Sequence, residues 1–181
     1  MAEVVITLLA PDRPGIIETI SQVIAAHEGN WLDSKLSLFN GQFAGIAHIY
    51  VPNKFLPSLT EQFNQLTAQK IAIHHAVIDQ ANTSVQKASA EQEKTYTLHL
   101  LGNDRPGIVR DITKILLEFK INITDIQTEH TSAPMSNDAI FKASAVLRVP
   151  QSANIDLIKS NLEKLANELI VDVTLDNESE S

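Results

Sequence analysis

Cysteine is absent from the sequence, which removes disulfides, thiol nucleophiles and cysteine-based zinc sites together. Aromatic residues are scarce, at 5%, so any core must be mostly aliphatic. Long apolar runs are missing as well. No stretch approaches the roughly 18–20 residues that a membrane helix needs. Met1-Ala2-Glu3 leads into a short apolar run with no basic region before it, unlike an export signal. These absences predict a soluble, cytoplasmic chain with no membrane partner.

Positive charge is also in short supply. Fourteen Lys and Arg face 22 Asp and Glu, giving a net charge of −8. The deficit is spread along the chain: residues 1–80 hold four cations against seven anions, and residues 95–176 hold eight against eleven. A phosphate backbone needs clustered cations to displace its counterions. Neither half offers such a cluster, so direct nucleic-acid binding is disfavoured, and any effect on transcription is expected to pass through another protein.

What the sequence does contain is a repeat. Asp12-Arg13-Pro14-Gly15-Ile16 returns as Asp104-Arg105-Pro106-Gly107-Ile108, an offset of 92. Val4, Ile6 and Leu8 align with Tyr96, Leu98 and Leu100, Asn30 with Asn122, and Asp33 with Asp125. Val51-Pro52 matches Val149-Pro150 at an offset of 98, which places a six-residue insertion within 131–138.

Each half carries the same pattern of elements. Glu3–Leu9 alternates like a strand. Pro14 stands where a helix begins, and Ile16, Ile17, Ile20, Val23, Ile24 and His27 form its apolar stripe. Gly29 is placed to stop that helix. Asn30–Phe39 and Gln42–Val51 read as strands joined by Asn40-Gly41, a hairpin signal. Leu56, Leu59, Phe63 and Leu66 mark a second helix, and Ile71–Ile78 a fourth strand. In the second half, Tyr96–Leu101 is a strand and Ile108, Val109, Ile112, Ile115, Leu116 and Phe119 stripe a helix. Strands at 122–131 and 139–149, a helix striped by Ile155, Ile158, Leu162, Leu165 and Leu169, and a strand over 170–175 complete it. The expected fold class is α+β, two ferredoxin-like βαββαβ domains in tandem. Their expected limits are 1–80 and 95–176, with a polar linker over 81–94 and a disordered tail over 177–181.

The repeated Asp-Arg-Pro-Gly turn is the main candidate for chemistry. It feeds a helix N-terminus, where backbone N–H groups and the helix dipole favour a carboxylate. Gly15 and Gly107 let a ligand approach the backbone. Asp12 and Asp104 can accept from an ammonium group, and Asn30 and Asn122 can both donate and accept. A second reading of the same residues is plain helix capping by the aspartates.

The strand, the Asp-Arg-Pro-Gly-Ile turn, the helix and the strand opened by Asn-Trp-Leu-Asp or Asn-Ile-Thr-Asp resemble the ACT domains, which bind small effectors, often amino acids. The resemblance covers about residues 3–176. It implies ligand contacts at Asp12, Arg13, Gly15, Ile16 and Asn30, and at Asp104, Arg105, Gly107, Ile108 and Asn122, often where two domains meet. An Asn often stands in amino-acid-binding members where this chain has Asp12 and Asp104. Two such domains with no catalytic or DNA-binding module attached are similar to the repressors of the glycine cleavage system. That likeness implies a small amino-acid effector, glycine foremost, and a DNA-bound activator as protein partner, with a homodimer possible.

No cofactor, metal site or catalytic residue is expected. His74 and His75 are strand neighbours and point to opposite faces, which is poor geometry for a shared zinc. His27 is expected at the edge of the core and His99 in a buried, hydrogen-bonded place, while His48 and His130 have no partner by spacing. Trp31 is expected to pack partly buried. Two other functions stay open: a protein-interaction module without ligand, and a small hydrolase of acylphosphatase type using Arg13 or Arg105 with Asn30 or Asn122.

Overall fold

The computed structural model describes residues 1–78, 93–132 and 139–177. The chain divides into two units, Met1–Ser84 and Val85–Ser181. Unit 1 runs β1 (Ala2–Pro11), α1 (Ile16–Ala26), β2 (Asn30–Phe39), β3 (Gln42–Val51), α2 (Leu56–Leu66) and β4 (Ala72–Val77), with single 3₁₀ turns on either side of α2. Unit 2 runs β5 (Glu93–Asn103), α3 (Ile108–Glu118), β6 (Asn122–Ser132), β7 (Ala139–Pro150), α4 (Ile155–Leu169) and β8 (Val171–Asn177). Both are βαββαβ, with antiparallel sheets ordered β2-β3-β1-β4 and β6-β7-β5-β8.

The alternation read from the sequence decides which sheet face is covered. Val4, Ile6, Leu8 and Ala10 point into the helix-covered face of unit 1. There they meet Ala47, Ile49 and Val51 of β3, Ile20 and Ile24 of α1, and Leu59 and Phe63 of α2. In unit 2, Tyr96, Leu98 and Leu100 meet Ala145, Leu147, Ile112, Leu116, Ile158 and Leu162. Trp31 packs partly buried against the first core, as expected. Both second strands carry a register shift just past their start, between Trp31 and Ser34 and between Ile123 and Asp125.

Two turns show how local chemistry shapes the frame. Asn40 and Gly41 both have positive φ, 48° and 76°, which matches the twist of a two-residue hairpin. Gly29 does not supply the left-handed residue that ends α1. Glu28 does, with φ 54°, and Gly29 N–H then donates to the Ile24 carbonyl at 2.9 Å. Gly29 is needed for closeness instead: a Cβ there would lie 2.7 Å from Ile24 Cγ2.

Several expected boundaries move. β5 begins at Glu93, so the last two residues of the expected linker belong to a strand, and Asn177 closes β8 rather than opening a tail. The rest of the linker, 81–92, the insertion residues 133–138 and the tail residues 178–181 lie outside the described residues. The histidines need three corrections. His99 is exposed on the open sheet face. His48 sits 3.8 Å from Glu3 and 4.0 Å from Asp33. His130 faces Asp104, with 3.3 Å between Nε2 and Oδ2. His27 is buried, with Nδ1 2.7 Å from the Val23 carbonyl and its ring edge-on to Phe55.

Candidate functional site

The two turns were built by the same local code. Each first strand ends, the chain passes Asp-Arg-Pro, and a glycine enters the left-handed region to start the helix. Gly15 has φ 90° and Gly107 φ 96°, where a side chain would be strained. Each glycine carbonyl accepts the first intrahelical bond, from Thr19 N–H and Asp111 N–H, both at 2.9 Å. No side chain caps α1 or α3. The aspartates therefore do not act as N-caps, and that alternative is set aside. The chain does cap conventionally elsewhere: Asn154 Oδ1 accepts from Leu157 N–H at 3.1 Å at the start of α4. α2 also lacks a side-chain cap but is entered from Phe55 at the end of a 3₁₀ turn; what α1 and α3 share is a start at a left-handed glycine.

The expected site residues fall into three groups. Asp12, Arg13, Gly15, Asp104, Arg105 and Gly107 gather at the two turns, all exposed except the partly covered Gly107. Ile16 and Ile108 are 3% and 2% exposed, so they offer a ligand their backbone only. Asn30 and Asn122 are not brought to the turn of their own unit. Asn30 lies across from Tyr50, which pairs with Glu3, while the turn follows Pro11 at the other end of β1. At about 3.3 Å per residue the separation is roughly 26 Å. Asn122 is placed likewise, across from Arg148, which pairs with Thr95, while the turn follows Asn103. No single unit assembles the full set into one pocket.

The turns also differ from each other. Arg13 Nη2 donates to the Gln69 carbonyl at 2.9 Å, tying the first turn to the 3₁₀ turn that follows α2. Nothing lies within 4 Å of a Cβ built on Gly15. At the second turn, Arg110 Nη2 comes within 3.2 Å of the same point on Gly107. The Arg110 guanidinium is held by Asp111 Oδ1 at 2.7 and 2.8 Å. With Asp104 and His130 beside it, the second turn is framed by charge. His130 was not legible there from the sequence, because it reaches Asp104 only across β7, which lies between β6 and β5.

A second polar group occupies the open face of the first sheet, where Tyr50 donates to Glu3 at 2.5 Å beside His48. The hydrogen bond to the Glu3 carboxylate, then burial and the Glu3 charge, raise the Tyr50 pKa above its ordinary value. The folded value lies above the unfolded one, so the bond's contribution is complete below about pH 10 and vanishes as pH rises through the folded value. Tyr50→Phe is thus expected to be less stable than wild type at neutral pH and to converge with it at strongly alkaline pH. Urea melts across that range check this.

Among the described residues, no group of three His, Asp or Glu is arranged to hold a metal ion, and no helix is long and apolar enough to cross a membrane.

The ACT-domain family pattern matches residues 2–77 and again residues 90–174. Among solved structures, the chain is similar to an unknown protein from Galdieria sulphuraria, with TM-score 0.78 and 21% identity over 97% of this chain and 98% of that one. It is also similar to a protein provisionally described as a glycine cleavage system transcriptional repressor, with TM-score 0.64 and 18% identity over 97% and 96%. At these identities the likeness concerns the fold. No curated protein sequence matches the chain.

Proposed function

The chain belongs to the ACT-domain family, and on that premise we propose that it is an amino-acid-responsive regulator rather than an enzyme. One observation carries the proposal: two helices in one chain begin at a left-handed glycine with no side chain on their first-turn amides. The free N–H groups and the positive end of the dipole suit a carboxylate, and Asp12 and Asp104 stand by to accept from an ammonium group. Glycine is the proposed effector, because it needs no room for a side chain. In this reading the contacts are Asp12, Arg13, Gly15 and the Ile16 backbone, with Asp104, Arg105, Gly107 and the Ile108 backbone as their repeat. Asn30 and Asn122 then act at a second contact, away from their own turns.

The proposed output is repression of transcription from the cytoplasm by contact with a DNA-bound activator. The net charge of −8 supports an indirect route, since neither repeat gathers the cations that a phosphate backbone requires. A hydrolase of acylphosphatase type has less support, since Asn30 and Asn122 lie at the far ends of their sheets from Arg13 and Arg105. An interaction module without ligand keeps one supporting observation, the half-exposed Leu9 and Ile46 on the open face of the first sheet.

Calorimetry of the full chain with each of the twenty amino acids tests the reading. Glycine is expected to bind in the millimolar range or tighter. Gly15→Asp with Gly107→Asp places a carboxylate at each tip and is expected to weaken binding about tenfold or more. Silence with all twenty, or unchanged affinity in the double variant, ends it.

A further inference from the structure

We propose that Asn40 is a site of covalent modification, losing its side-chain amide to the following glycine, and that the change reaches the first Asp-Arg-Pro-Gly turn through the Gly41 carbonyl. Asn40 is the one asparagine of the chain that precedes a glycine. Both residues are exposed, at the two-residue tip of the β2–β3 hairpin. Nothing lies within 4 Å of a Cβ built on Gly41, so a ring can form there without a clash. Neither Gly41 N–H nor the Asn40 side chain has a hydrogen-bond partner among the described residues. The Gly41 nitrogen attacks Asn40 Cγ and gives up its proton, and the side-chain nitrogen leaves as ammonia. Water then opens the cyclic imide. Opening at one carbonyl leaves an aspartate; opening at the other leaves an isoaspartate, whose main chain runs through the former side chain. Either product gains a negative charge.

The isoaspartyl product adds a methylene to the main chain at a turn that has no slack. Asn40 and Gly41 alone join Phe39 to its partner Gln42, with positive φ at both, and such a turn matches the strand twist only with that backbone. The hairpin tip also holds the neighbouring turn. The Gly41 carbonyl accepts from Asp12 N–H at 3.1 Å, just past the Pro11–Gln42 pair that ends the β1–β3 ladder. A displaced Gly41 carbonyl releases that amide, and with it the start of the segment that leads to Gly15. Unit 2 makes the same attachment without the labile pair. Asp104 N–H donates to the Ala139 carbonyl at 2.8 Å, and Ala139 follows Asp138 rather than an asparagine. Modification thus loosens one turn and spares its repeat. The inference concerns the backbone of the turn and does not rest on the sensing proposal.

The full chain, held in mildly alkaline buffer and sampled over time, tests this. Peptide mapping is expected to find the amide-to-acid mass change at Asn40 first, ahead of Asn30, Asn122 and Asn154, which precede Trp31, Ile123 and Ile155. Anion exchange isolates the modified chains, and an isoaspartyl methyltransferase identifies the isoaspartyl fraction. In that fraction, hydrogen exchange of the Asp12 amide read by NMR is expected to quicken about tenfold, with the Asp104 amide unchanged. Asn40→Asp, which adds the charge without the methylene, is expected to keep the Asp12 amide protected. Asn40→Gly, which still allows positive φ, is expected to fold as wild type and to stay unmodified at the hairpin. The proposal is overturned if other asparagines react first, if the Asp12 amide of the isoaspartyl fraction exchanges at the wild-type rate, or if Asn40→Asp loosens it equally.

Discussion

Gly45→Ala is expected to destabilise the first unit by about 3–5 kcal/mol, a large share of the stability of a domain this size. The reason is backbone. Gly45 pairs with both Leu8 and Leu36 in the middle of the sheet, with φ 155°. A Cβ there would sit 2.1 Å from the Lys35 carbonyl oxygen and 2.7 Å from Leu36 Cα. No rotamer change relieves a clash with the neighbouring strand's main chain. The strands would have to part, and β2 is an edge strand bonded only to β3. The corresponding residue in unit 2 is Ala143, so the demand arises in one repeat alone. Trp31, the one tryptophan, packs against the core of unit 1, so its fluorescence during urea unfolding reports on that unit. A wild-type midpoint in Gly45→Ala would show that β2 yields without loss of the fold.

Phe63→Ala is expected to cost about 3–5 kcal/mol, by a different route. Phe63 is 1% exposed and is the largest fully buried side chain among the described residues. It projects from α2 between Leu59 and Leu66, at the spacing of one helical face. Truncation removes the ring from its packing and leaves a cavity that aliphatic neighbours fill only in part. The urea midpoint read by Trp31 should fall by about 2 M. Phe63→Leu should lose much less, because Leu162 stands at the matching position of α4 and is itself 1% exposed. Equal losses for the two substitutions would mean that the ring's volume is not what matters at that position.

The fold was legible because two kinds of information agreed. Alternation in β1 and the three- and four-residue spacing in α1 each name a buried face, and the repeat supplied the same answer twice. Asn40-Gly41 announced its own turn, since few other pairs tolerate two positive φ values. The places where the reading missed depend on distant contacts. Gly29 looked like the residue that ends α1, yet its role is set by Ile24 and the Tyr50 carbonyl pressing on it. His130 had no partner by spacing, because Asp104 reaches it across the register of two strands.

The candidate site was half legible. The turns could be found because their conformation is written in consecutive residues, Pro then Gly. That Asn30 lies a sheet's length from Gly15 could not be found locally. It follows from antiparallel pairing through β3, which carries the start of β2 back to the start of β1.

In each unit the last strand lies against the first: Val77 pairs with Val4, and Asn177 with Tyr96. The chain therefore enters and leaves a unit side by side, at one end of its sheet. A second copy spliced after the first disturbs no hydrogen-bond ladder in either, which is why tandem duplication of such a gene segment is topologically cheap. The same adjacency makes each unit a natural candidate for circular permutation, with the old ends joined and new ones opened in a surface loop.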